Sequence, residues 1–390
     1  MRIIPFLSLV CCLCLFLLAS PSAHADGGAP NLAYVAGGGK GIAVVDVVRQ
    51  GVTSSISVNG APDMILLSLD GRFLYVTQPQ LGRVAIVAAS TGNTICSANV
   101  PGQPTLLALD SNIGTVFAAG NGASSIIALD TSNCNIKHTY TVAGHVYGLA
   151  IANVGASLSS GNSQLWVADD TSLTFLDDSN GQQLGKVPIT GGPQYISIPP
   201  GSSVYTTTRD GHVLTVDLTS HAITTLYAGG SFGPMDYDAT TGQIYVPDQQ
   251  HKQLVVLDPL NSGMPTPKEP SRVIALSAQP EAIAITNDGQ LGFVALDNGT
   301  VAMLDIPAHV VITTINVGGT PRFIITGLYP PTLGQTPQQA ATLNSASVIA
   351  ACVLIAALLI VPIVLFLRYS KTERKANSEA EAIDQLPTKP

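Results

Sequence analysis

Charge is scarce in this chain. Only 11 % of its 390 residues are Asp, Glu, Lys or Arg, and 17 basic residues face 25 acidic ones, for a formal net charge of −8. No cluster of Lys and Arg adjoins aromatics, which excludes a groove that neutralises phosphates and stacks bases. Aromatics are scarce too, at 5 % with a single Trp. Low charge combined with 46 % hydrophobic residues excludes charge-driven disorder over most of the length, and a chain this long can bury a full core. No pair among the seven His is spaced i, i+4, and none stands with Cys at metal-ligand spacing. What is plentiful is Gly (37) and Pro (26), set among Val, Ile and Thr. That is the composition of short strands joined by tight turns.

Long apolar runs occur at the two ends. Ile3–Ala19 follows Arg2 and is interrupted only by Pro5 and Ser8. Ala23-His24-Ala25 behind it is an A-x-A cleavage site, so residues 1–25 read as a secretory signal. An uncleaved anchor is the rival reading; the distance of the small-residue site from the apolar run favours cleavage. Ala346–Leu367 is 22 residues without a charge, about 33 Å at about 1.5 Å per residue, enough to cross a hydrocarbon core. Arg368, Lys371, Arg374 and Lys375 follow at once, which puts the C-terminal side in the cytoplasm. The expected organisation is a signal over 1–25, a folded domain over 26–328 and a Pro-rich stalk over 329–345. A single transmembrane helix follows over 346–367, then a cytoplasmic tail over 368–390. The expected location is the plasma membrane, single-pass, with the domain at the cell surface or in the periplasm.

Asp26–Ser345 holds 11 basic and 21 acidic residues, a balance of −10, which suits solubility outside the cell and argues against an anionic surface as partner. Cys96 and Cys134 are the only cysteines in that stretch. In an oxidising compartment they either pair or remain two inert thiols, because proximity is not readable from sequence.

Internal repetition decides the fold. A Gly-Pro-type turn recurs at Gly60-Ala61-Pro62, Gly102-Gln103-Pro104, Gly144-His145-Val146, Gly191-Gly192-Pro193, Phe232-Gly233-Pro234, Ala278-Gln279-Pro280 and Gly319-Thr320-Pro321. A short aromatic-containing strand follows each turn but the last, and another, Tyr34-Val35, precedes the first; the remaining six run from Tyr75-Val76 to Phe293-Val294. Then comes an alternating strand that ends in Asp46, Asp130, Asp177, Asp217, Asp258 or Asp305. Asp46 to Asp305 makes six steps of about 43 residues, and four strands per 40–45 residues is the propeller signature. The expected fold is all-β, a seven-bladed propeller. The chain starts at a second strand and ends at a first strand, so Phe323–Ile325 is expected to complete the blade opened by Leu32–Val58. That closes the ring and removes an exposed inner edge.

Leu74-Tyr75-Val76-Thr77 beside Asp70-Gly71, with Val58-Asn59-Gly60-Ala61-Pro62 before it, resembles the YVTN family of β-propellers. Ile315-Asn316-Val317-Gly318-Gly319-Thr320-Pro321 and Asn287-Asp288-Gly289 fit the same repeat. The likeness covers about residues 31–327. It departs at Ile113-Gly114-Thr115-Val116-Phe117 and around Val154–Gln164. The resemblance implies a surface-layer-like or YncE-like extracytoplasmic protein with a binding or scaffold role and no set reaction.

First strands line a propeller's channel, and the Gly-Pro turns lead into them on one face. The residues just after those turns are Asp63, Thr105, Tyr147, Gln194, Met235, Glu281 and Arg322. They are the candidate ligand-binding rim, with a solvated, salt-bridged mouth as the plainer alternative. Insertions near Val154–Gln164 and Pro259–Arg272 fall in turns of the opposite face, where loops accept added length at little cost.

Other motifs imitate chemistry. Gly37-Gly38-Gly39-Lys40-Gly41 resembles a phosphate loop but has Gly41 where Ser or Thr should bind the metal; a hairpin turn is expected. Gly229-Gly230-Ser231-Phe232-Gly233 fits G-x-S-x-G, yet Pro234 follows where that elbow needs a helix; a turn between blades is expected. Asp169-Asp170, Asp177-Asp178 and Asp236/Asp238 could bind calcium or act as acid and base, but strand-end Asp more commonly caps turns. Asn298-Gly299-Thr300 is a glycosylation acceptor by pattern. No C-x-x-C-H haem site exists.

The reading is a non-enzymatic, membrane-tethered propeller that presents a binding face outside the cell. No cofactor is expected. The partners expected are the membrane, through Ala346 to Leu367, and a protein or envelope component at the channel mouth, with no nucleic acid. The alternative is a propeller enzyme that uses the channel, a metal-dependent lactonase or a cofactor-dependent oxidoreductase, since fold alone does not decide.

Overall fold

Both faces of a propeller blade are buried against its neighbours, and the strand sequences carry that pattern. Residues 32–152, 163–201, 203–260 and 269–327 are described in the computed structural model. The expected signal, stalk, transmembrane helix and tail lie outside the described residues, as does most of each insertion. Among the described residues no helix is long and apolar enough to cross a membrane.

Seven four-stranded antiparallel sheets form the domain. Blade 1 contains β1 (Leu32–Gly38), β2 (Gly41–Asp46) and β3 (Gly51–Ser57). Blade 2 is β4 (Ile65–Leu67), β5 (Phe73–Gln78), β6 (Arg83–Ala88) and β7 (Thr94–Asn99). Blade 3 is β8 (Pro104–Asp110), β9 (Thr115–Gly120), β10 (Ser125–Asp130) and β11 (Ile136–Thr141). Blade 4 is β12 (Gly148–Ala152), β13 (Gln164–Ala168), β14 (Ser172–Asp177) and β15 (Gln183–Pro188). Blade 5 is β16 (Pro193–Ser197), β17 (Ser203–Thr208), β18 (His212–Asp217) and β19 (Ile223–Ala228). Blade 6 is β20 (Asp236–Tyr237), β21 (Ile244–Asp248), β22 (Gln253–Leu257) and β23 (Arg272–Ala275). Blade 7 is β24 (Pro280–Ile285), β25 (Leu291–Leu296), β26 (Thr300–Asp305) and β27 (Val310–Asn316). The last strand, β28 (Phe323–Gly327), is the innermost strand of blade 1.

Closure is as the repeat phase predicts. Tyr34 pairs with Ile325 and Ala36 with Phe323. The turn before β28 is fastened to β1: Thr320 N–H donates to the Gly37 carbonyl at 2.8 Å and Arg322 N–H to the Ala36 carbonyl at 2.9 Å. Gly37 has φ +80°, and a Cβ there would stand 2.1 Å from the Thr320 oxygen. The run that imitates a phosphate loop is therefore a hairpin whose bare backbone admits the closing turn. Gly229–Gly233 likewise joins β19 to β20 with no helix after Ser231.

The core lies between blades, with one apolar cluster at each of the seven interfaces. Along β1, Ala33 and Val35 pack toward blade 7 while Tyr34 and Ala36 pack toward blade 2. Period-two alternation thus feeds two cores at once, and second and third strands read as unbroken apolar runs. Strand β9 is buried throughout, whereas β11 exposes five of its six residues.

The aspartates that end third strands hold the following turns. Asp46 accepts the Arg49 N–H at 2.8 Å, Asp130 the Ser132 N–H at 2.9 Å, and Asp305 the Ala308 N–H at 2.9 Å. Cys134, in one of these turns at φ +59°, is disulfide-bonded to Cys96 of β7, with Cα atoms 5.9 Å apart. Of the two alternatives left open by the sequence, the paired one is found, and it bolts blade 2 to blade 3.

Candidate functional site

Each innermost strand begins at the mouth of the channel and runs to the opposite face. Its first residues are irregular. The register slips between Pro104 and Leu106, between Pro193 and Ile196, and between Pro280 and Ala282. Thr105 and Glu281 are the extra residues of such bulges, and bulges re-aim side chains. In blade 2, Thr77 Oγ1 accepts the Met64 N–H at 2.8 Å. In blade 5, Thr207 Oγ1 accepts the Tyr195 N–H at 3.2 Å. A buried hydroxyl thus satisfies a backbone N–H at the start of the innermost strand, at a bulge in blade 5.

A cavity of about 270 Å³ opens at this mouth. Of the seven expected rim residues, Asp63, Thr105, Met235, Glu281 and Arg322 line it. Tyr147 and Gln194 do not. The Tyr147 hydroxyl donates to Asp170 at 3.0 Å, and its ring lies under Arg209, whose Cζ is 4.0 Å from the centroid. Gln194 has its carbonyl against Gly148, where a Cβ would stand 2.0 Å away, and the next residue, Tyr195, faces the cavity instead. Sequence reasoning missed Tyr195, Met64, Asn121 and Gln249 among the lining residues. It took one residue per turn, whereas a bulge brings two successive residues to the mouth. The signal available was Gln194-Tyr195 directly behind a Gly-Gly-Pro turn.

Asp63, Glu281 and Arg322 converge from three adjacent blades. Arg322 Nη1 is 3.5 Å from Glu281 Oε2; Glu281 is mostly buried while Arg322 is half exposed. Burial raises the Asp63 carboxyl above the ordinary carboxylate range, Arg322 offsets part of that, and Glu281 adds to it. Tyr195 is raised by burial and then by the charges of Asp63 and Glu281. The mouth therefore combines one guanidinium, two carboxylates and a phenol on walls that include Met64, Leu107 and Met235. Such a set can grip a ligand that carries both charge and apolar surface.

Deeper in the wall, Asp236 of β20 accepts the Ile285 N–H of β24 at 2.7 Å. Burial pushes its carboxyl up to about 6, against the pull of that hydrogen bond. Asp238, its expected companion, instead caps a turn through Thr240 and Thr241. Asp169 is also a cap, accepting from Thr171, Ser172 and Thr174. Asp177 caps through Ser179. Asp178 is different. It is buried on the far face against Asp110 of blade 3, and burial together with the Asp110 carboxylate pushes it up to about 8.

Three imidazoles decorate the mouth-face turns of blades 4, 5 and 6, each on a carboxylate. The His145 Nδ1 is 3.2 Å from Asp170, His212 Nδ1 2.9 Å from Asp210, and His251 Nδ1 2.7 Å from Asp248. Among the described residues no group of three or more His, Cys, Asp or Glu is placed to hold a metal ion. A wider, open groove of about 620 Å³ runs between blades 2 and 3, and no charged residue lines it.

Comparison with known proteins bears on the fold. No family model matches the chain, and no curated protein matches it in sequence. Solved structures do match. The periplasmic gluconolactonase of Pseudomonas aeruginosa aligns with a TM-score of 0.62 at 17 % identity, over 77 % of this chain and 99 % of that one. Apo AztD from Citrobacter koseri aligns with a TM-score of 0.58 at 13 % identity, over 76 % and 99 %. The Cps50 (Swd1) propeller domain of Myceliophteria thermophila aligns with a TM-score of 0.60 at 12 % identity, over 71 % and 92 %. This chain is a seven-bladed β-propeller. Identities this low establish the propeller and nothing finer.

Proposed function

We propose that the chain is a non-enzymatic binding propeller, tethered to the plasma membrane outside the cytoplasm and presenting the channel mouth to a protein or envelope component. The observation that carries the binding role is the convergence of Asp63, Glu281, Arg322 and Tyr195 on one cavity with apolar walls. Groups of opposite charge and a phenol on apolar walls give a partner both charged and apolar contacts. The tether and the compartment rest on the A-x-A site after Ile3–Ala19 and on the uncharged run Ala346–Leu367 with its basic flank. The Cys96–Cys134 disulfide fits an oxidising compartment. The resemblance of the repeat to the YVTN family supports the same placement.

Affinity capture from the native envelope with the full chain, beside Arg322→Gln and Glu281→Gln variants, tests the reading. A partner retained by the parent and lost from both variants is the expected result. The alternative is an enzyme, and a neighbour in structure is described as a gluconolactonase. Metal analysis and a lactone-hydrolysis screen of the same preparation address it. Stoichiometric metal, with turnover lost on substitution of Asp63 and Glu281, would replace the binding reading.

A further inference from the structure

Among the described residues, the most exposed aliphatic turn residues of the face opposite the mouth lie in one sector. Val48, in the turn from β2 to β3, is 87 % exposed, and Leu69, in the turn from β4 to β5, is 85 % exposed. Ile113, in the turn from β8 to β9, is exposed on the same side. These three tips belong to blades 1, 2 and 3. The outer strands add Val52, Ile95 and Ile136, but those of the other blades likewise expose Leu184, Ile223, Val273 and Val310, so it is the turn residues that mark the sector. Turns of a water-facing surface are normally polar, and apolar tips on three adjacent blades mark a candidate interaction surface.

Two observations say what covers it. The innermost strand β28 runs from Arg322 at the mouth to Gly327 on this face, and Leu67 packs directly on Gly327. The chain therefore leaves the propeller two residues from the Leu69 tip. Eighteen residues later the uncharged run Ala346–Leu367 begins, a reach of at most about 65 Å. The second observation is charge. The basic residues here are Arg72, which pairs with Asp70 at 3.6 Å, Lys137, which pairs with Asp130 at 3.5 Å, and Arg49, exposed beside Val48 in the turn that Asp46 caps. Aliphatic tips flanked by long basic side chains suit the headgroup and acyl boundary of a bilayer.

We infer that the Val48, Leu69 and Ile113 tips rest in the surface of the lipid bilayer, holding the propeller with its mouth pointing away from the membrane. The inference rests on the tether reading above and deepens it, because a tether alone leaves the propeller free to tumble.

The test uses the full chain with vesicles of phosphatidylcholine brominated in the acyl chains, which quench tryptophan only at lipid depth. Trp166 is fully buried and gives a constant background. Leu69→Trp and Val48→Trp, two independent exposed positions, are compared with Leu81→Trp on the mouth face. At least a twofold greater quench of the added fluorescence at positions 69 and 48 than at 81 is expected. Equal quenching at all three overturns the inference, whether the tips face water or a second copy, which cross-linking then separates. Alkaline extraction of the parent chain tests the tether on its own. A chain that resists extraction while its tips remain unquenched keeps the tether and loses the docking. A chain that is extracted while its tips are quenched keeps the docking and loses the tether.

Discussion

Arg322 Nη1 lies 3.5 Å from Glu281 Oε2, across the seam where the last strand of the chain closes the ring against blade 7. The pair joins ring closure to the rim, since Arg322 also sits close enough to Asp63 to lower its carboxyl. Replacing it by Arg322→Gln removes that influence. The Asp63 carboxyl then titrates at higher pH, read as the infrared difference between Arg322→Gln and Arg322→Gln/Asp63→Asn. Stability changes by less than about 1 kcal/mol, because an ion pair with a half-exposed partner contributes little.

Asp178 binds its proton more tightly in the folded chain than in the unfolded one. A raised carboxyl contributes stability below the ordinary carboxylate range, and that contribution is lost as pH rises through about 8. Asp178→Asn keeps a donor toward Asp110 without a charge to ionise. Thermal melts across pH 4 to 9 are expected to show the parent losing stability with rising pH and the variant staying flatter. The variant gains on the order of 2 kcal/mol at the alkaline end. Parallel curves for the two proteins would show that the Asp178 carboxyl is not raised.

The Cys96–Cys134 bridge closes a loop across 38 residues. Loop-closure entropy assigns such a bridge about 4 kcal/mol. The double variant Cys96→Ser/Cys134→Ser should melt lower without reductant, and reductant should lower the parent toward it while leaving the variant unchanged.

Gly37→Val places a side chain where the Thr320 carbonyl now sits, at a positive φ that β-branched residues avoid. It is expected to cost more than about 3 kcal/mol. Gly71→Val is also at positive φ but has nothing within 4 Å, so it carries the backbone strain alone. A denaturant series that separates the two measures the close approach at the closure. Removing Arg322–Thr326 should abolish cooperative unfolding altogether.

Blade number and ring closure were legible because each blade repeats one local pattern. The turn, the doubly buried strands and the terminal Asp are dictated by short-range physical needs: positive φ at turns, apolar faces on both sides, and a cap for freed N–H groups. The rim was legible in part. Asp63, Glu281 and Arg322 were found by counting one residue past each turn, but Tyr195 was not, because a bulge that shifts the pleat by one residue leaves no fixed mark in the sequence. Tyr147 was assigned to the rim and is turned away from the cavity, on the same face, by Asp170 of its own blade and by Arg209 of blade 5, partners 23 and 62 residues away in sequence.

Seven like units in a row, with the odd strand left at the end, were determined by sequence alone, since periodic burial writes itself into residue order. Which cysteine meets which, which carboxylates are buried against each other, and which side chains meet across the channel were decided by tertiary structure. Those contacts join blades distant in the chain, and their energies depend on distance and burial rather than on neighbours in sequence.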